Sequence, residues 1–155
     1  MDAYFLVKTA HIISSTILFG TGIGIAFFMF RSHFTANIHE KLYAVKNTVL
    51  ADYLFTFPAV IIQPVTGIWL MVHLGYDWNS QWLLMSFIIY GIAGLCWLPV
   101  VWIQIQLKKI LATSIENDTD LPPRYFKLFK VWFVFGWPAF IGLVVIFFLM
   151  VVKPL

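Results

Sequence analysis

Four stretches of this chain carry no Asp, Glu, Lys or Arg: Thr9–Phe30, Tyr53–Val72, Trp82–Leu107 and Val131–Val152. Each holds about twenty residues or more, the length a helix needs to cross a hydrocarbon core of roughly 30 Å. Lipid offers no partner to a backbone N–H or C=O, so such stretches close their own hydrogen bonds as helices. The expected fold is an all-α membrane protein, a four-helix transmembrane bundle. It forms one domain over 1–155, with spans near 5–30, 50–73, 82–107 and 128–152. Composition agrees: 11% of residues are charged, against about a quarter in a soluble domain.

The charges set an orientation. Arg31, Lys41 and Lys46 lie in the first connection, and Lys108, Lys109, Arg124, Lys127 and Lys130 lie in or beside the third. The second connection, HLGYDWNSQ, has no Lys or Arg. The positive-inside rule then predicts connections one and three in the cytoplasm and both termini on the periplasmic side of a bacterial inner membrane, multi-pass. The basic balance is absorbed by this role and implies no nucleic-acid partner. The start, MDAYFLVK, has an acid where a secretory signal has a basic region, so the first span is read as retained. Cys96 is the single cysteine, which leaves no disulfide within the chain.

The connections are short. RSHFTANIHEKLYAVKNTVLAD spaces Phe34, Ile38, Leu42 and Val45 for a short interfacial helix. ENDTDLPPRY reads as a surface turn.

At 100° per residue the spans carry polar stripes. Lys8, His11, Ser15, Leu18, Gly22, Ala26, Met29 and His33 share one face of the first span, and Thr16, Gly20 and Gly24 the opposite one. The second set is a small-xxx-small surface, suited to close helix approach and to a homo-oligomer. Asp52, Thr56, Ala59, Gln63, Thr66, Leu70 and His73 line a face of the second span; Ser86, Tyr90, Ala93, Trp97 and Gln104 line one of the third. Such stripes are costly in lipid unless they meet each other, a cavity or a ligand.

Each residue has a structural and a functional role open to it. His11 either bonds a neighbouring helix or ligates a cofactor. Lys8 is expected to snorkel to the outer headgroups. Asp52 is expected to cap the second span or pair with Arg31, with proton relay as the alternative. Gln63 suits inter-helix bonding, and Tyr4, Trp78, Trp82 and Tyr125 suit an interfacial belt. His33 and His39 are expected in solvent.

A shared metal site is not expected. His11 and His33 stand about 33 Å apart along one helix. Haem needs only one axial histidine, and His11 with Ser15 and Gly22 leaves room beside the imidazole for a flat ring.

The segments YFLVKTAHI, FGTGIGIAFFM, LADYLFTFPAV, QPVTG, CWLPVVWIQIQL, LPPRYFKLFKVWF, GWPAF and the closing VVKP resemble, over nearly the whole length, an uncharacterised family of predicted bacterial integral membrane proteins, domain of unknown function 2269. More distantly, Lys8 and His11 in KTAH, the Arg31–His33 exit, Pro58 followed by Gly67, and Lys153–Pro154 are similar to the HemJ-type protoporphyrinogen oxidases. Those bind haem b through a histidine of the first span. The resemblance implies His11 as the axial metal ligand. Where the HemJ type has a His and a Lys after a Trp-Leu pair, Trp82–Leu83 is followed by Leu84, Met85 and Ser86. Phe135–Gly136 stands where that type has an Asn-Glu pair.

Three function classes follow. The first is a haem-b-binding, redox-active membrane protein with a quinone or porphyrin ligand. In it His11 is the ligand, Lys8 and Arg31 are partners for acidic substituents, and Asp52, Gln63 and Tyr90 handle protons or hydrogen-bond the ligand. The second is a transporter or channel subunit whose stripes line a path. The third is a non-catalytic membrane partner that anchors a soluble enzyme.

Overall fold

The computed structural model describes residues 2–154. Helix α1 (Ala3–Ser32) begins where the Asp2 side chain accepts the Tyr4 backbone N–H. Helix α2 (Ile38–Ala51) begins at Asn37, whose side chain accepts from His39 N–H. A π turn (Asp52–Thr56) joins α2 to α3 (Phe57–His73). Helix α4 runs Gln81–Glu116, and α5 (Pro123–Val152) starts on Pro123, whose missing N–H costs nothing in a first turn. Among the described residues, four helical rods are long and apolar enough to cross a membrane, as the four uncharged runs imply.

The rods overshoot the bilayer. Thirty residues of α1 rise about 45 Å, well beyond the hydrocarbon core. The second rod departs from the expected layout. Ile38–His73 is one helical stretch of 36 residues, so the short interfacial helix and the second span are a single element.

Lys41 explains why. It is only 6% exposed, and its Nζ donates to the carbonyls of Ser32 (3.1 Å) and His33 (2.6 Å). Those are among the last carbonyls of α1, which lack partners within their own helix. A cation is also favoured at that negative helix end. The charge that reads as a loop residue therefore ties α2 back onto α1.

The π turn has a local cause. Pro58 has no N–H, and its ring would crowd the Leu54 carbonyl four residues back. The chain widens instead, and Phe57 N–H bonds to Asp52 O, five residues back.

Packing is concentrated at the two ends. At the basic end Met29, Val45, Leu107, Leu111, Tyr125, Phe129 and Trp132 form one cluster. At the other end Met71, Trp82, Leu83 and Leu149 form a second. Tyr125 and Trp82, expected in the interfacial belt, are 0% and 8% exposed and belong to these cores. His33 is likewise not in solvent: its ring stacks on Phe129 at 4.2 Å. Helix overshoot accounts for all three, because it brings the span ends into helix–helix contact.

Candidate functional site

The polar stripes face inward. Ser86, Ala93 and Gln104 of α4 are buried, as are Asp52, Thr56 and Ala59 of the second rod and Leu18 and Met29 of α1. They do not form one site. Two groups of different character lie at different depths.

The first joins α1 to α3 toward the end that carries Lys8. Ser14 Oγ donates to Gln63 Oε1, so the amide nitrogen of Gln63 is left as the donor to His11 Nε2, at 3.1 Å. That assignment puts the imidazole proton on Nδ1, which lies 2.8 Å from Thr66 Oγ1. Thr66 passes its own hydroxyl proton to Ile62 O, 2.7 Å away. Each donor in the series has an acceptor. Gly67 packs on the same ring: a Cβ there would stand 3.2 Å from His11 Cε1.

This arrangement does not fit His11 as an axial haem ligand. Iron needs a ring nitrogen with its lone pair free, and Nε2 already receives the Gln63 amide while Nδ1 is taken by Thr66. Ser15 does not open space beside the ring either; its hydroxyl turns back to Ile12 O at 2.8 Å. The neighbour that matters is Ser14, one residue off the expected stripe and 4% exposed. Either serine lies within one helical turn of His11, so spacing alone does not choose between them.

The second group lines a cavity of about 620 Å³ between the two packed ends. Gly22 and Leu18 of α1 form one wall, Asp52 and Thr56 of the π turn a second, and Tyr90, Trp97 and Gln104 of α4 a third. Phe133, Gly136, Trp137 and Phe140 of α5 form a fourth side, and the α1–α5 seam is made of stacked rings, Phe19 on Phe140 at 5.3 Å and Phe30 on Phe133 at 5.2 Å. The lining is overwhelmingly apolar and aromatic.

Four polar atoms of the lining residues are deeply buried and lack a close partner. Asp52, 3% exposed, has Thr56, Gln104 and Trp97 as polar neighbours. Even so, Asp52 Oδ2, Thr56 Oγ1, Gln104 Oε1 and Trp132 Nε1 are buried without a hydrogen bond. A buried polar atom left unpaired costs about 1–3 kcal/mol, so four around one cavity need an explanation. The π turn gives Asp52 its position there. It is neither a helix cap nor a loop residue but the first residue of a widened turn inside a continuous rod, a feature common at functional sites.

The remaining candidates separate from both groups. Tyr90 lines the cavity, but its hydroxyl is committed to Val60 O at 2.8 Å. Lys8 is exposed and reaches Tyr4 OH at 3.2 Å. Arg31 lies at the opposite end, on a surface groove between α1 and α2. Thr16 and Gly20 are exposed, and among the described residues nothing beyond the local helix backbone and the chain neighbours lies within 4 Å of where a Cβ would stand at Gly20 or Gly24.

A family model described as a predicted integral membrane protein, DUF2269, matches residues 5–154. No curated protein matches the chain, and no solved structure does.

Proposed function

The chain belongs to the DUF2269 family of predicted integral membrane proteins, and on that premise we propose that it binds a lipophilic, ring-bearing molecule within the bundle, of the quinone or porphyrin class, as a small redox-active protein of the bacterial inner membrane. The observation that carries this reading is the apolar cavity of about 620 Å³ with the polar residues Asp52, Thr56 and Gln104 among its lining. Its volume lies within the ~300–1,000 Å³ of small-molecule sites, and apolar walls with a few fixed polar groups are how such sites choose a ligand. Trp97, Trp137 and Phe140 offer flat faces to a ring. Haem b enters this reading as a ring for the cavity, not as an iron held by His11.

The Lys and Arg residues of the basic end favour a cytoplasmic side for it under the positive-inside rule. Asp52 then lies toward the cytoplasmic side and His11 toward the periplasmic side. The open Thr16–Gly20–Gly24 face is the proposed surface for a homo-oligomer.

The test is extraction. Protein purified in mild detergent from native membranes is extracted with organic solvent, and the extract is analysed by mass spectrometry beside that of a cavity-filling Gly136→Trp variant. A quinone or porphyrin enriched with the wild type and lost from the variant supports the reading. Equal recovery of the same lipids from both overturns it.

A further inference from the structure

The groove between α1 and α2 at the basic end is a second recess, of about 660 Å³. Ile25, Phe28 and Arg31 follow one another at three-residue steps along its α1 side, and Glu40, Tyr43 and Asn47 line its α2 side. Its depth in the membrane follows from the charges. The uncharged run Thr9–Phe30 rises about 33 Å, close to the ~30 Å of a hydrocarbon core, and Arg31 is the first charge beyond it. Arg31 therefore stands at the level of lipid phosphates, with Phe28 and Ile25 beside the acyl chains. Phe28 and Tyr43 are both exposed, Tyr43 at the depth where interfacial aromatics gather.

The two charges of this groove are opposite. Both oxygens of the Glu40 carboxylate are engaged by neutral donors, Thr35 Oγ1 at 2.6 Å and Asn37 Nδ2 at 3.5 Å. These contacts fix the carboxylate without neutralising it, and they leave it lone pairs for further donors. Arg31 is exposed, and its guanidinium fork matches the oxygens of a phosphate. A groove with a cation, an anion and an apolar floor complements an amphiphile that carries the opposite charges above an apolar chain. We propose that it holds a phospholipid with a phosphoethanolamine headgroup, the phosphate on Arg31, the ammonium on Glu40 and an acyl chain against Ile25 and Phe28. Basic recesses between transmembrane helices recognise headgroups by charge, and here the carboxylate adds a second criterion. A headgroup with a phosphate alone gains Arg31 but faces Glu40, and a quaternary ammonium has no N–H to give that carboxylate.

The experiment is native mass spectrometry of the full chain in detergent, titrated with dioleoyl phosphatidylethanolamine, phosphatidylglycerol and phosphatidylcholine. An exposed ion pair contributes modestly, so phosphatidylethanolamine should bind about three- to five-fold tighter than phosphatidylglycerol. Glu40→Gln keeps an amide oxygen for Thr35 and removes the charge, so it should erase that preference. Arg31→Gln should weaken all three lipids by a similar factor. Both side chains are exposed, and circular dichroism of each variant checks that the helices are retained.

Phosphatidylglycerol bound as tightly as phosphatidylethanolamine by the wild type overturns the proposal. So does a preference that Glu40→Gln leaves unchanged, or lipid binding indifferent to Arg31→Gln. Free phosphoethanolamine that displaces the lipid at equal concentration also overturns it, and assigns the groove to a soluble phosphate compound. None of these outcomes depends on what the central cavity holds.

Discussion

The Tyr90 hydroxyl donates to the Val60 carbonyl at 2.8 Å, and Val60 is the residue whose carbonyl loses its helical partner to Pro64. Proline at position 64 has no N–H to offer four residues back, and α4 supplies the missing donor from outside α3. One side chain thus repairs the backbone of a neighbouring helix.

Tyr90→Phe should therefore destabilise the bundle by about 1–2 kcal/mol, the cost of leaving a buried carbonyl unpaired. Pro64→Ala restores the N–H, so in that background the same substitution should cost much less. Thermal unfolding of the four proteins of this cycle in one detergent measures the coupling. Additive effects would show that Tyr90 serves the cavity and not the helix.

His11→Ala should destabilise the chain by about 1–3 kcal/mol, because Gln63 and Thr66 lose their shared partner. Haemin titration should give the same absorption spectrum with wild type and variant. A Soret band present in the wild type and lost in His11→Ala would mean that Gln63 yields its place to iron.

Gly67→Ala places a methyl group 3.2 Å from His11 Cε1, and the ring is held from both nitrogens, so it has little freedom to move aside. Overpacking should outweigh the gain in helix propensity, for a loss of about 1 kcal/mol. In His11→Ala the space is free and the same change should stabilise. A denaturation series reads the sign reversal directly; the same sign in both backgrounds would place the constraint elsewhere.

Removing a polar group can also stabilise. Asp52→Leu deletes a buried carboxyl that has an unpaired oxygen, so its melting temperature should rise. Sites that trade stability for binding behave in this way. A fall in melting temperature would show that Asp52 holds the π turn together.

Acidification should weaken the basic end. Burial, and then the charge of Lys41, hold the His33 imidazole below its ordinary value of 6.5. An unfolded chain takes up this proton near that value, and the folded chain resists until lower pH, so the unfolded state binds more protons across that window. The His33 contribution to stability is complete above about pH 6.5 and is lost as pH falls through the depressed folded value. Melting temperature measured from pH 7.5 to 5 should drop more steeply for wild type than for His33→Gln; parallel curves would assign the dependence to other groups.

Much of this architecture is written plainly in the chain. Four uncharged runs give four rods, and 100° spacing finds the inward faces of Asp52, Gln63, Tyr90 and His11, because lipid penalises any other placement of polar groups. What spacing does not reveal is satisfaction. Gln63 and Asp52 sit on the same stripe, yet one is bonded on both sides within a series of hydrogen bonds and the other keeps a buried Oδ2 without a close partner. That difference depends on what the facing helices present. Lys41 shows the same limit at the level of elements: a charge in a polar segment reads as a loop, until the carbonyls of Ser32 and His33 come within reach.

The π turn has a consequence for how this sequence tolerates change in length. A π turn is geometrically an α-helix with one residue too many, and each residue turns a helix by about 100°. Deleting one residue from Asp52–Thr56 would remove the surplus residue while Pro58, which forces the widening, stays in place. It would also swing everything before the deletion, Lys41 included, about 100° against Gln63 and Thr66. The two polar groups are therefore phased by this single surplus residue, which works as a register mark between the halves of the rod: gaps in its loops can be absorbed, but a gap here uncouples the cavity from the His11 end.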